Sequence, residues 1–470
     1  MLTYSFSDEI NAHTGKKTPL YEQLYDFIRS DILSGKLKGG EKLPSKRNFA
    51  KNLAVSTITV ETAYDNLHSE GYIYSVEKRG YFISEDISSS LLYASSLGTE
   101  EKSKEESQGE NTFTDLNSNT ANASLFPFST WAHITRKVMA EKREELLQSS
   151  SSGGTEELKQ AIARHLSQFR ALDIDEKQII IGAGTEYLYS LIIQLLGYEH
   201  TYALEEPGYQ KISRIYAAHR VETAHIELDR EGISVAELKK SSASIVHISP
   251  SHHFPTGCIM TIARRYELLE WADEESDRYI IEDDYDSELR FDSRPIPSLQ
   301  SIDKKGKVIY INTFSKTLSS TIRASYMVLP KHLVDVFYSK LGFYSNTVPV
   351  INQYVLASFM SSGHFEKHIN RLRQHYKDLR NYFLTQIQQH LRGAEVKDEV
   401  AGLHFLLHIA TDKSDEELKR AAKEKGVLLS CLSDYYFDKA KAKEHIIVVN
   451  YSSLDKAQIQ SAVSILSHII

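Results

Sequence analysis

Apolar positions at the start of the chain recur at helical spacing. Leu20, Leu24, Phe27, Ile28 and Ile32 mark an amphipathic first helix, broken by Gly35, Gly39 and Gly40. Ser45 follows Pro44 and suits the N-cap of a short second helix that carries Phe49 and Leu53 inward. Val55-Ser56 ends that helix and caps a third, with Ile58, Ala63 and Leu67 expected on its buried side and Gly71 as its stop. Tyr72-Ile73-Tyr74 and Gly80-Tyr81-Phe82-Ile83 read as short strands joined by Val76-Glu77-Lys78-Arg79. Residues 1–84 are thus expected to form three helices and a two-stranded wing. From Glu85 to Thr112 no period holds, serines and charges dominate, and a flexible linker is expected over 85–112, with one helical turn at Leu91-Leu92-Tyr93. Residues 113–470 alternate apolar runs with amphipathic helical patterns, which predicts βαβ units and a mostly parallel sheet.

Polar chemistry gathers where those runs end. Val308-Ile309-Tyr310-Ile311 empties into Asn312-Thr313-Phe314-Ser315-Lys316, and Arg323 follows. Tyr279-Ile280-Ile281 empties into Glu282-Asp283-Asp284-Tyr285-Asp286. Ligands of open α/β sheets sit outside the carboxyl ends of strands. An amine, a carboxylate and an arginine there suit pyridoxal 5′-phosphate (PLP). The amine forms the imine, the carboxylate keeps the pyridine nitrogen protonated, and hydroxyls with the arginine hold the phosphate. Gln178-Ile179-Ile180-Ile181 runs into Gly182-Ala183-Gly184-Thr185-Glu186. Tyr187 stands where the third glycine of a dinucleotide fingerprint belongs, so this turn reads instead as backbone N–H groups offered to a single phosphate. Tyr202-Ala203-Leu204 leads to Glu205-Glu206-Pro207-Gly208-Tyr209, and Ile245-Val246-His247-Ile248 leads to Ser249 through Gly257. These strand ends are expected to converge on one pocket.

A length of 470 residues implies two or three domains, and 41% apolar with 25% charged residues is ordinary for a soluble globular protein. No stretch is long and apolar enough to span a bilayer, and the N-terminus lacks a signal peptide's order, so a cytoplasmic protein without membrane contact is expected. Cys258 and Cys431 give neither a disulfide framework nor a metal quartet. His252 and His253 diverge as adjacent residues and lack a third ligand, so no metal site is expected. The net charge of −8 argues against a protein that coats nucleic acid along its whole length. Locally, however, Lys36, Lys38, Lys42, Lys46, Arg47 and Lys51 face only Glu41, which suits phosphate contacts. Ser56, Thr57 and Thr59 would meet base edges at the start of the third helix, and Lys78 and Arg79 would reach a minor groove from the wing.

Leu43-Pro44-Ser45-Lys46-Arg47, the Val55-Ser56 turn, Leu67-His68-Ser69-Glu70-Gly71-Tyr72 and Lys78-Arg79-Gly80-Tyr81-Phe82 resemble the winged helix of GntR-type regulators across residues 18–84. In that family Arg47 and the wing cations would contact DNA. The body resembles fold-type I aminotransferases, with a mostly parallel sheet and a small C-terminal α/β subdomain implied. By that resemblance Lys316 links covalently to PLP, Asp283 pairs with the pyridinium nitrogen and Tyr285 approaches the ring hydroxyl. Thr313, Ser315 and Arg323, with the amides of Gly184 and Thr185, take the phosphate, and Tyr209 lies against the ring. Together the two halves resemble the MocR/GabR-type transcription regulators. Double-stranded operator DNA, a small amine or amino-acid effector and a head-to-tail homodimer are then the implied partners. The alternative is an active PLP-dependent aminotransferase carrying a DNA arm.

Two departures stand out. Phe254 occupies the place of the asparagine that usually precedes Pro-Thr-Gly, leaving Tyr285 or a histidine to serve the ring oxygen. Arg420 is the last arginine of the chain, so the usual C-terminal carboxylate anchor is missing, and Asp434 stands where it would be expected. An amine-reading Asp434, with Lys211 or Arg371 as carboxylate partners, is the expected effector site.

Overall fold

The computed structural model describes Tyr4, Phe6 and residues 19–76, 79–84, 113–120, 122–291, 297–397 and 402–470. The expected linker over 85–112, the Leu91-Leu92-Tyr93 turn and Lys78 lie outside the described residues. The chain divides into two compact units, Met1–Glu110 and Asn111–Ile470.

In the first unit, α1 (Leu20–Leu33) precedes α2 (Lys46–Leu53) and α3 (Thr57–Ser69). Ser45 caps α2 by accepting the Asn48 N–H at 3.3 Å, and Ser56 caps α3 by accepting the Thr59 N–H at 3.1 Å. Ala54, in left-handed backbone at φ 54°, makes the turn between them. The wing is β1 (Ile73–Val76) antiparallel to β2 (Gly80–Ile83), with Ile73 opposite Ile83. Leu24, Ile28, Ile32, Phe49, Val60, Ala63, Tyr64, Leu67, Ile73 and Ile83 close the core.

One expected core residue is misplaced. Ile58 is 73% exposed. The buried stripe of α3 is Val60, Ala63, Tyr64 and Leu67, at i, i+3, i+4 and i+7. Ile58 precedes Val60 by two residues, roughly 200° round the helix, and so points the opposite way. Leu20, at the first residue of α1, is also exposed.

In the second unit, the strands follow in order as β3 (Thr114–Asp115), β4 (Ile179–Gly182), β5 (Thr201–Glu206), β6 (Glu222–Asp229), β7 (Gly232–Ile233), β8 (Ile245–Ile248), β9 (Tyr279–Asp283), β10 (Val308–Thr313) and β11 (Ser325–Val328). Except for β3, they form one sheet in the order β4-β11-β10-β9-β8-β5-β6-β7. Its centre, β10-β9-β8-β5-β6, is parallel, while β11 runs antiparallel to both its neighbours and β7 antiparallel to β6. Strands β8 and β10 are buried along their length and β5 and β9 at all but their first residue, which is why they read as continuous apolar runs rather than as alternations. A smaller antiparallel sheet holds β12 (Ala394–Lys397), β13 (His404–Ile409), β16 (Ile446–Asn450) and β15 (Ser430–Cys431) in that order, and β14 (Val427–Leu428) pairs with β3. The mostly parallel sheet and the small C-terminal α/β subdomain are as expected.

Under the strand ends lies a buried ionic layer. Arg170, the last residue of the helix Glu156–Arg170, meets Asp284 at 2.6 Å, and the Tyr310 hydroxyl donates to the same carboxylate at 2.7 Å. Beside it Arg265 stands 3.5 Å from Glu282. This layer supports the loop that begins at Asp283.

Candidate functional site

The carboxyl ends of β4, β5, β8, β9 and β10 surround a cavity of about 450 Å³. Lys316, Asp283, Tyr285, Thr313, Ser315, Arg323, Gly184, Thr185 and Tyr209 all line it. Sequence-distant turns thus bring these residues to one place, but the Gly184 N–H expected to face a phosphate donates instead to the Gly182 carbonyl at 2.9 Å, closing the turn before the helix.

Lys316 follows β10 and donates to the carbonyl of Asn119. Burial lowers its amine from 10.5 to about 8, against the opposing pull of Asp286 and Asp283. About a tenth of the amine is therefore free base at pH 7, far more than for an ordinary lysine, as an attack on a carbonyl requires.

Asp283 ends β9. Its Oδ2 accepts the Tyr189 hydroxyl and lies 3.6 Å from His247 Nε2, and His247 Nδ1 is in turn 3.0 Å from the Tyr216 hydroxyl. Its Oδ1 is buried without a hydrogen-bond partner among the described residues. A buried carboxylate oxygen left unpaired at a cavity wall suits a cationic N–H donor from a ligand. A protonated pyridine nitrogen is such a donor. Tyr189, Tyr216 and His247 were not singled out from the sequence. Their available signal was position: Tyr189 lies one turn into the helix that Gly184 opens, and His247 lies in the strand beside β9.

The end of the cavity expected to take a phosphate holds a close approach. Gly184 has φ 96°, and a Cβ built there would lie 2.6 Å from the Arg323 guanidinium. Only glycine lets that guanidinium reach the start of the helix Thr185–Leu196, where it donates to the Ala183 carbonyl at 3.0 Å. Thr313 Oγ1 is 3.0 Å from Ser315 Oγ and 2.8 Å from Ser325 Oγ, a cluster of three hydroxyls of which those of Thr313 and Ser315 belong to cavity-lining residues. A carboxylate oxygen awaiting a donor, a buried amine and a cationic hydroxyl-rich cradle fit PLP.

The ring-oxygen side differs from the expected asparagine. Phe254 is an apolar wall, edge-on to Tyr209, His404 and Tyr435. The Tyr285 hydroxyl is 3.4 Å from His252 Nδ1, which sits 2.7 Å from Asp286. Glu205 also lines the cavity. Burial and the neighbouring Asp283 push its carboxyl up to about 8, although it accepts the Ser249 N–H at 2.9 Å. Its neighbour His253, 3.5 Å away, is pushed down to about 3 by burial and is neutral. His404 of β13, 4.5 Å ring-to-ring from His252, was not foreseen either.

The small subdomain reaches over one side of the cavity. The Glu206 carboxylate accepts the N–H groups of Phe437 and Asp438 at 2.6 and 2.9 Å, and His225 stacks on the Phe437 ring at 4.1 Å. The Gly208 N–H donates to the Tyr435 carbonyl at 3.1 Å.

Two of the three expected effector residues are placed elsewhere. Asp434 does not line the cavity. It accepts the Cys431 N–H at 2.9 Å and pairs with Lys419 at 2.6 Å, because its short side chain folds back to cap its own turn. Arg371 donates to the Leu125 carbonyl at 3.0 Å and meets His368, away from the cavity. Lys211 does line the cavity and pairs with Glu186.

On the first unit, Arg47, Lys51, Ser45, Ser56, Thr57 and Arg79 are exposed. Lys46 is not a free cation: it lies 2.9 Å from Glu61 and 3.4 Å from Asp65, over the Tyr81 ring. Thr59 is partly buried, and its hydroxyl is 2.8 Å from that of the cap Ser56.

Comparison with known proteins agrees with both halves. Residues 20–83 match the family of bacterial regulatory proteins, gntR family, and residues 111–466 match aminotransferase class I and II. The chain is 36% identical over 419 residues to the HTH-type transcriptional regulator YdeL of Bacillus subtilis, spanning 89% of this chain and 90% of that one. It is 31% identical over 459 residues to the probable rhizopine catabolism regulatory protein MocR of Rhizobium meliloti, spanning 95% and 92%. Among solved structures, the multiple substrate aminotransferase of Thermococcus profundus superposes with a TM-score of 0.68 at 23% identity, over 76% of this chain and 91% of that one. That last likeness is one of fold.

Proposed function

Because this chain belongs to the MocR-type family of transcriptional regulators, in which a GntR-type helix-turn-helix precedes an aminotransferase class I and II domain, we propose that it binds operator DNA through α2 and α3 and holds PLP at Lys316. With that cofactor it senses a small amine or amino acid. The observation that carries this reading is the buried Lys316 amine in one cavity with the unpaired Asp283 Oδ1.

When bound, PLP supplies an electrophilic carbonyl that captures primary amines. The protein's residues do the rest. Lys316 offers a free-base Nζ. Asp283, held by Tyr189, keeps a proton on the ring nitrogen. Arg323 and the hydroxyls of Thr313 and Ser315 anchor the phosphate, and the Tyr285 hydroxyl faces the ring oxygen. Tyr209 covers the ring. Lys211 is the cation available to an effector carboxylate, in place of a C-terminal arginine. The regulator works in the cytoplasm as a head-to-tail dimer that meets two half-sites.

The test is the visible spectrum of the purified protein before and after borohydride. A band that borohydride removes, with a pyridoxyl label on Lys316, supports the reading, and a colourless protein ends it. A panel of amines assayed for conversion to the pyridoxamine form in a single turnover separates sensing from transamination.

A further inference from the structure

The start of α3 carries an apolar side chain that the fold does not use. Ile58 is 73% exposed, while the neighbouring turns of the same helix bury Val60, Ala63 and Tyr64 completely. Around it three hydroxyls are committed. Ser56 and Thr59 bond one another at 2.8 Å across the cap, and Thr62 Oγ1 donates to the Ile58 carbonyl at 3.0 Å. Ile58 is the projecting apolar group of this helix start, beside the exposed Thr57.

In a helix-turn-helix, the first residues of the second helix of the motif meet base edges in the major groove. That groove displays one apolar group, the 5-methyl of thymine. We propose that Ile58 reads a thymine in each operator half-site by packing on that methyl group, and that it is a specificity-determining residue of the arm. The proposal rests on the DNA-binding reading above. The charges on this face are compatible with it. Arg47 and Lys51 are exposed on α2, and the carboxylates of Glu61 and Asp65 on the outer side of α3 share Lys46, which offsets one of their two charges. A phosphate backbone thus meets cations at α2 while an uncharged, apolar tip enters the groove.

The test begins with the full-length protein and a randomised duplex pool, from which it enriches its own site. Each thymine of that site is then replaced singly by deoxyuridine, which keeps the base pair and removes only the methyl group. Wild-type protein is expected to lose roughly fourfold in affinity at one position per half-site, the worth of one buried methyl. Ile58→Ala is expected to bind thymine and deoxyuridine equally there, and Ile58→Val to keep the preference. A wild-type protein indifferent to every replacement overturns the proposal, as does an Ile58→Ala variant that retains the fourfold loss. If Ile58→Ala instead alters sedimentation and leaves methyl dependence intact, the side chain serves contact between copies and the proposal falls. A pool that enriches no sequence removes the DNA-binding reading and the proposal with it, whereas enrichment without methyl dependence removes the proposal alone.

Discussion

The two units of the chain treat charge in opposite ways. The first buries an apolar core with Tyr64 donating its hydroxyl to the Pro44 carbonyl at 2.9 Å, and it leaves Arg47, Lys51 and Arg79 in solvent. The second takes Arg170, Arg265, Glu282, Asp283, Asp284 and Glu288 out of solvent. A long, charged polymer can be met only at a surface, and exposed cations meet it without a desolvation penalty. A small molecule must be enclosed, so the groups that recognise it must be desolvated first, and each buried charge then needs a partner. The arm presents its cations to solvent, whereas the body turns charged groups inward, Asp283 among them onto a cavity.

The largest expected effect strikes at that contrast. Lys316→Ala should abolish the borohydride-fixed label while leaving gel-shift affinity for the enriched duplex intact. A label on another lysine would discard the site. The same amine has a pH signature. Its value is depressed, so the free base is reached early. Loading of apo protein with PLP should rise about tenfold per pH unit below about 8 and level off there, whereas an ordinary lysine would keep rising towards 10.5.

Next in size is Arg170→Leu. It strands the buried Asp284 carboxylate and should cost about 3–5 kcal/mol in the unfolding transition of the body. Replacing both partners by leucine should recover much of that loss. Calorimetry of the full chain would sharpen the comparison if the arm's transition stays put. An Arg170→Leu protein with an unchanged body transition would show that the ionic layer is dispensable.

On the arm the effects should be smaller. Arg47→Ala should weaken duplex binding by about 1–3 kcal/mol and lower the salt slope by about one. Lys46→Ala should cost less, because Glu61 and Asp65 already compensate its charge. Equal losses would mean that α2 contacts DNA through both cations. The smallest effect belongs to Asp434→Ala. Its pair with Lys419 is partly exposed, so stability should change by about 0–1 kcal/mol, and spectral titrations with GABA, alanine and putrescine should not move. A shift in any of them would bring Asp434 back to the effector.

The sequence was most readable where one residue implies its own surroundings. Ser45 and Ser56 announce helix starts, and each accepts the capping N–H. Apolar runs that stop abruptly at hydroxyls, glycines or acids are strand ends of one sheet. It was less readable where phase or direction decides. Ile58 and Val60 are both β-branched residues near a cap, and the phase of the stripe decides between them: Val60, Ala63, Tyr64 and Leu67 fall at i, i+3, i+4 and i+7, which Ile58 does not join. Asp434 sits in a stretch near the cavity, and Tyr435 beside it does line the cavity, but one residue changes the direction of the side chain. Supports such as Tyr189 and His247 are silent in sequence because their value lies in what they touch across the sheet.

Gly184 has a consequence for how this molecule tolerates mutation. Its backbone at φ 96° strains any other residue, and even an alanine methyl would press on the Arg323 guanidinium and threaten its bond to Ala183. The smallest possible change, one added carbon, would therefore press on the cation that we propose for the phosphate. A genetic screen for lost response should find one of its most intolerant positions at a residue without a side chain, while polar residues such as Asp434 vary with little effect.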